Sequence, residues 1–195
     1  MNRLLAAAAL LLASAAPAFA HLDPGEHGSL AAGFSHPLYG VDHILAMVAV
    51  GVWAALIGGR AVLAVPATFV TLMAVGFAAS FIGAPLPFVE PAILASIVAF
   101  GLLIALAAPI PVELVLVVAG FFAVFHGYAH GSELGSAGAL SFGAGFLAAT
   151  SALHFAGAGF GLAVLKVLNG VHGKLALRIA GGATATYGVA LAVAG

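Results

Sequence analysis

A polytopic all-α bundle, with six membrane-spanning helices behind a cleaved signal peptide, is the fold class this sequence predicts, and three observations predict it. Hydrophobic residues make up 64% of the 195 and charged ones only 6%, a composition outside the range of soluble domains. The apolar residues fall in runs near 20 long with short polar breaks between them, which fits a helix crossing a bilayer and is far too long for a barrel strand. Glycine is heavily used, 26 residues, often three or four apart with Ala or Ser between, a spacing that lets membrane helices approach closely.

The chain opens on MNRLLAAAALLLASAAPAFA. Arg3 supplies a positive start, an apolar stretch begins at Leu4, Pro17 breaks it, and Ala18-Phe19-Ala20 precede His21. That is a secretory signal with a small-residue cleavage site, giving domains 1–20 (signal peptide) and 21–195 (a single transmembrane domain). An uncleaved first helix is the alternative, and the short apolar core weighs against it. Six apolar segments follow, at 38–57, 61–83, 91–108, 112–130, 139–165 and 175–194, separated by GGR, APLPFVEP, PIP, GSELGSA and KVLNGVHGK. Starting outside, six spans return the C-terminus outside. Arg60, Lys166, Lys174 and Arg178 are all the Lys and Arg beyond the signal, and each falls where this topology places the inner side, as the positive-inside rule requires. Of the acids, Asp23, Glu26, Glu90 and Glu133 fall on the outer side. The expected location is the bacterial cytoplasmic membrane, multi-pass, with both mature termini periplasmic. Spans 1 and 4 run in opposite directions and both carry a histidine motif, which suggests two inverted three-helix halves.

Net charge is −1 without a basic cluster, so nucleic acid is not an expected partner. Cysteine is absent, which removes disulfides, thiolate nucleophiles and soft thiolate metal sites together.

Ionisable groups inside membrane spans are costly and mark function. Here they cluster. HPLYGVDH, residues 36–43, lies at the outer end of span 1 and HGYAHGSE, residues 126–133, at the outer end of span 4. His126 and His130 are four apart and share a helix face, so both can converge on one cation. Glu133 joins that side if the helix continues through Gly131; Gly127 and Gly131 either admit a neighbouring backbone or end the helix. His36 and His43 are seven apart, about 10 Å of rise, too far for a regular helix to bring both to one ion. Pro37 and Gly40 disfavour such a helix, so His36 is expected on a preceding loop that folds back. Asp42 is either a ligand beside His43 or the group that orients it. His154 lies about fifteen residues into span 5, on the order of 20 Å along the axis and nearer the inner half; it is either a metal ligand or a helix-to-helix hydrogen bond.

His172 reads as a loop residue, while His21 with Asp23 and His27 could form a weak outer capture site. Met47, Met73 and Trp53 read as packing, and Ser35, Ser132 and Ser151 lack any nucleophile pattern. Four histidines, one Asp and one Glu at one depth on two helices suit a borderline divalent ion such as Ni²⁺, Co²⁺ or Zn²⁺. A membrane metalloenzyme, a haem protein with two axial histidines and a non-transporting assembly partner are the rival classes. The absence of H-E-x-x-H and the small number of histidines weigh against an enzyme.

At these motifs the sequence resembles the HupE/UreJ family of bacterial nickel permeases and hydrogenase or urease accessory proteins. The matching residues are His36-Pro37-Leu38-Tyr39-Gly40-Val41-Asp42-His43 and Phe125-His126-Gly127-Tyr128-Ala129-His130-Gly131-Ser132-Glu133, with the signal peptide and the span count. The resemblance implies secondary uptake of Ni²⁺, with Co²⁺ in some members, supplied to metalloenzyme assembly. By motif, His36, Asp42 and His43 correspond to the first-helix site and His126, His130 and Glu133 to the fourth-helix site; His154 matches no motif. No permanently bound cofactor and no catalytic residue are expected; the expected partners are the divalent transition-metal ion, membrane lipid and cytoplasmic nickel chaperones. No P-loop or nucleotide-binding domain accompanies the spans.

The topology has a direct test. Alkaline phosphatase fused after residue 195 should be active and the same enzyme inserted at Gly59 inactive; the reverse pattern would invert the orientation.

Overall fold

The structure, a computed structural model, describes residues 29–83, 85–134 and 138–194. The signal peptide and His21, Asp23, Glu26 and His27 lie outside the described residues, as does the side chain of Glu133. Seven helices are described: α1 Leu30–Tyr39, α2 Val41–Ile57, α3 Ala61–Ser80, α4 Val89–Leu106, α5 Val112–Leu134, α6 Ala139–Val167 and α7 Val171–Ala194. Helices α3 to α7 are each long and apolar enough to cross a membrane, and α1 with α2 forms a sixth candidate bent by 88°.

That bend corrects the expectation for His36. The residue sits in a helix, not a loop, because the Ser29 side chain accepts a bond from the Ala32 N–H and caps α1 at its start. Pro37 is tolerated near the end of this short helix, where it removes one backbone bond. The helix stops three residues later at Gly40, whose φ of −94° and ψ of 116° are extended. The chain then turns through nearly a right angle into α2. The fold-back itself is as expected, and it places His36 and His43 on opposite arms of the corner.

Other boundaries also move. Helix α5 runs through Gly131 to Leu134, so the glycines there admit a neighbour and do not end the helix. Helix α7 begins at Val171, which puts His172 in its first turn and exposed, not in a loop.

The main packing pairs are α3 with α5, α4 with α7, α2 with α6, and α1 with α6. Exchanging the halves α2–α4 and α5–α7 would swap the first and third pairs and keep the second, the pattern that two inverted halves would give. The two histidine motifs break that correspondence, since both lie at one end of the bundle. Arg60 in the α2–α3 turn pairs with Glu113 at the start of α5. Arg178 Nε donates to the Ala105 carbonyl near the end of α4, at 2.7 Å. With Lys166 and Lys174 exposed at the α6–α7 turn, these contacts define a basic end opposite the histidines.

Two glycine pairs set how close the helices that carry the histidines come. A β-carbon at Gly127 of α5 would overlap the Met73 carbonyl oxygen of α3, and one at Gly76 of α3 would overlap the Val124 carbonyl oxygen of α5. Gly51 of α2 and Gly157 of α6 stand likewise against the His154 and Val48 carbonyl oxygens. In lipid, where association rests on close packing, such reciprocal backbone contact substitutes for a hydrophobic drive. The core between them is apolar and filled: Met47, Met73, Phe69, Phe100 and Val50 are fully buried, and Trp53 packs on Phe100 with ring centroids 5.9 Å apart.

Gly127→Val is therefore expected to destabilise the bundle by several kcal/mol through backbone overlap, whereas Gly182→Ala, with no atom within 4 Å of the new carbon, should be neutral. Thermal unfolding of the purified variants in detergent checks both; an unchanged melting curve for Gly127→Val would remove the close-contact account of α3 and α5.

Candidate functional site

Four imidazoles from three helices meet at the end of the bundle opposite the basic residues. His36 comes from α1, His43 from the first turn of α2, and His126 and His130 from one face of α5. The corner at Gly40 turns His36 and His43 onto the same partner. His36 Nε2 lies 2.9 Å from His130 Nδ1 and His43 Nε2 lies 2.5 Å from His130 Nε2. His43 Nε2 is also 3.4 Å from His126 Nδ1. His126, His130 and His43 are buried, and His36 is half-buried. Phe142 and Phe146 of α6 wall the group, with ring centroids 5.5 Å from His36 and 4.5 Å from His130 respectively.

Proton positions follow from the outermost partners of the chain of contacts. The Ser96 hydroxyl donates to the Ile93 carbonyl at 2.6 Å, so towards His126 Nε2, 3.0 Å away, its oxygen accepts. His126 therefore carries its proton on Nε2 and turns the Nδ1 lone pair to His43. At the other side Asp42 Oδ2 is 3.8 Å from His43 Nδ1, and its charge favours the proton on that nitrogen, leaving the Nε2 lone pair inward. Asp42 is in the first turn of α2, where the helix dipole favours a carboxylate. His130 can then donate through Nε2 to His43 and accept at Nδ1 from His36 Nε2.

The result sets two unprotonated nitrogens, His43 Nε2 and His126 Nδ1, 3.4 Å apart with no proton between them, the His43 lone pair being shared with the His130 N–H and the His126 one uncommitted. Two nitrogens each about 2.1 Å from a metal ion stand roughly 3 to 3.4 Å apart, so this pair is already at a chelating separation. His130 is closer to His43 than a shared ion allows and would have to withdraw by about 0.5 to 1 Å and give up its inward proton to join them. Among the described residues no three His, Asp or Glu side chains are spaced as a ready-made ligand shell. What stands here is a pair of preset donors with a third in contact.

Of the sequence-predicted site residues, His36, His43, His126 and His130 come together. Asp42 flanks them from the second position the sequence allowed, orienting His43, and is 38% exposed. Glu133 is on α5 one turn beyond His130, its side chain outside the described residues. His154 is separate: it is fully buried, its Nδ1 is 2.8 Å from the Met47 carbonyl, and its ring centroid is 4.9 Å from that of Phe69. Ser35, Ser132 and Ser151 each bond to a carbonyl of their own helix and take no part. Sequence reasoning passed over Ser96, whose only signal was a lone hydroxyl inside ILASIVAF, and Phe69, which had none. A cavity of about 460 Å³ lies at the basic end among Trp53, Leu56, Ile57 and residues 107–111, away from the histidine cluster and without ionisable side chains in its lining.

Comparison with known proteins gives two matches. A family profile described as HupE / UreJ protein matches residues 8–191. Protein HupE of Rhizobium leguminosarum bv. viciae is 47% identical over 186 residues, covering 94% of this chain and 95% of its own. No solved structure matches. With a whole-chain profile match and a relative this similar, the chain belongs to the HupE / UreJ family.

Proposed function

We propose that the protein is a secondary permease that imports Ni²⁺, and Co²⁺ as a second substrate, across the bacterial cytoplasmic membrane for the maturation of nickel enzymes. The observation that carries this reading is the facing pair of unprotonated nitrogens, His43 Nε2 and His126 Nδ1, held in a membrane bundle with His130 in contact. Neutral imidazoles with one nearby carboxylate suit a borderline first-row divalent ion. Imidazole nitrogens this close enclose room for a single atom, not for the flat macrocycle of a haem. Family membership supports the choice of nickel, through the resemblance of both motifs.

In this scheme residues 1–20 are removed, residues 21–195 form the single transmembrane domain, and the histidine end faces the periplasm. Glu133 and His36 meet the incoming ion. His43 and His126 replace part of its water shell, and His130 completes the set by withdrawing from His43. An incomplete shell is what release requires, since an ion held on all sides would not leave. Phe69, Phe100 and Trp53 form a run of mutually tilted rings between the histidines and the basic end, with successive centroids 6.4 and 5.9 Å apart, so those rings must part for the ion to pass His154 and reach the cytoplasm. Membrane potential draws a divalent cation inward by roughly 4 to 5 kcal/mol per 100 mV, and nickel chaperones would trap it there.

Cells expressing the His126→Ala/His130→Ala protein should lose uptake of radiolabelled nickel at matched expression, with excess Co²⁺ competing in the wild type and Mn²⁺ not. Equal uptake by both proteins would leave the histidines as structural hydrogen bonds. A subtler expectation concerns Ser96: Ser96→Ala removes the acceptor that fixes the His126 tautomer and should weaken Ni²⁺ binding about tenfold to a hundredfold while leaving the fold intact. Calorimetric titration of purified protein reads this, and wild-type affinity in the variant would refute the assigned tautomer.

A further inference from the structure

One turn apart on α6, away from the histidine cluster, two fully buried polar atoms have no hydrogen-bond partner: His154 Nε2 and Thr150 Oγ1. The His154 case is well defined. Its Nδ1 faces the Met47 carbonyl at 2.8 Å, and a carbonyl only accepts, so the proton is on Nδ1 and Nε2 presents a bare lone pair. The Thr150 case stands in contrast to two other threonines. Thr184 and Thr186 return their hydroxyls to the carbonyls four residues back, at 3.0 and 2.9 Å, the ordinary arrangement for a helical threonine. Thr150 does not. Each buried polar atom left unpaired disfavours the fold, and here two such atoms, four residues apart, share one helix face.

Their position relative to the first site is also fixed. The Phe69 ring touches both His154, at 4.9 Å between centroids, and His126, at 5.7 Å. One aromatic ring therefore separates the two groups. The backbone around His154 is held, because a β-carbon at Gly51 would overlap the His154 carbonyl oxygen, which keeps α2 and its Met47 carbonyl against α6.

We infer that Thr150 and His154 form a second, weaker station for the transported divalent ion, with His154 Nε2 as nitrogen donor and the Thr150 hydroxyl as oxygen donor. The inference rests on the import reading and extends it to a site no motif marks. One imidazole and one neutral hydroxyl, with no carboxylate between them, bind a borderline cation less tightly than two or three imidazoles beside Asp42. The remaining ligands are waters that travel with the ion. A station below the first in affinity lets the ion step forward without being trapped.

The test combines uptake of labelled nickel with Co²⁺ absorption titrations of the full-length protein in nanodiscs. His154→Asn keeps an N–H for the Met47 carbonyl and lacks Nε2; Thr150→Val keeps shape and lacks the hydroxyl. Both are expected to bind Co²⁺ at the first site as the wild type does and to transport nickel about tenfold more slowly. The weak cobalt site that remains in His126→Ala/His130→Ala should disappear when either change is added. Wild-type uptake by both variants, with no such residual site, would overturn the inference, leaving Nε2 and Oγ1 to water. If His154→Asn fails to fold, Thr150→Val alone decides by the same two readings. A wild-type protein that binds no cobalt and moves no nickel is a different result, and it would remove the import reading together with this one.

Discussion

Buried imidazoles away from water can bond only to groups that the protein itself brings to them, and that constraint organises this protein. A lone histidine in an apolar bundle leaves at least one nitrogen unmatched. Four of them brought together satisfy most of that need mutually, His36 through His130 to His43, and the remainder is assigned by the two flanking groups, Ser96 and Asp42. The leftover is not scattered. It is concentrated in the gap between His43 and His126, where the uncommitted His126 Nδ1 faces His43 Nε2 with no proton between them.

Everything that positions this gap is backbone geometry. Helices α3 and α5 come close enough for contact because Gly76 and Gly127 present no side chain, and this fixes the height and rotation of α5, hence of His126 and His130. The α1–α2 corner does the complementary work. A straight helix would put His36 and His43 two turns apart; the break at Gly40 folds them to either side of His130. Phe142 and Phe146 of α6 then fill the space behind them.

The same logic distinguishes the two groups of donors. Donors at the histidine cluster are numerous and partly committed to each other, so any ion bound there would displace hydrogen bonds between imidazoles instead of filling an empty shell. At His154 the donors are fewer and uncommitted. Between the two lies Phe69, in contact with a histidine of each. At the basic end, tied by Arg60 with Glu113 and by Arg178 with Ala105, Trp53 packs on Phe100 and lines the cavity.

Sequence and tertiary structure divided the information along a physical line. Hydropathy and run length determined an all-helical bundle and five spans to within a few residues at most ends, because each span's backbone bonding is internal and depends only on its own stretch of chain. Spacing of four put His126 and His130 on one face for the same local reason. The sequence misjudged His36, where a capped short helix outweighed Pro37, and placed the α7 start four residues late. It did not reveal Ser96 or Phe69 as neighbours of the histidines, since nothing in a single segment says which face of another helix it will meet. Which nitrogen faces which, and where the unmatched lone pairs lie, was decided by glycine contacts between helices distant in the chain, and those distances exist only once the bundle is packed.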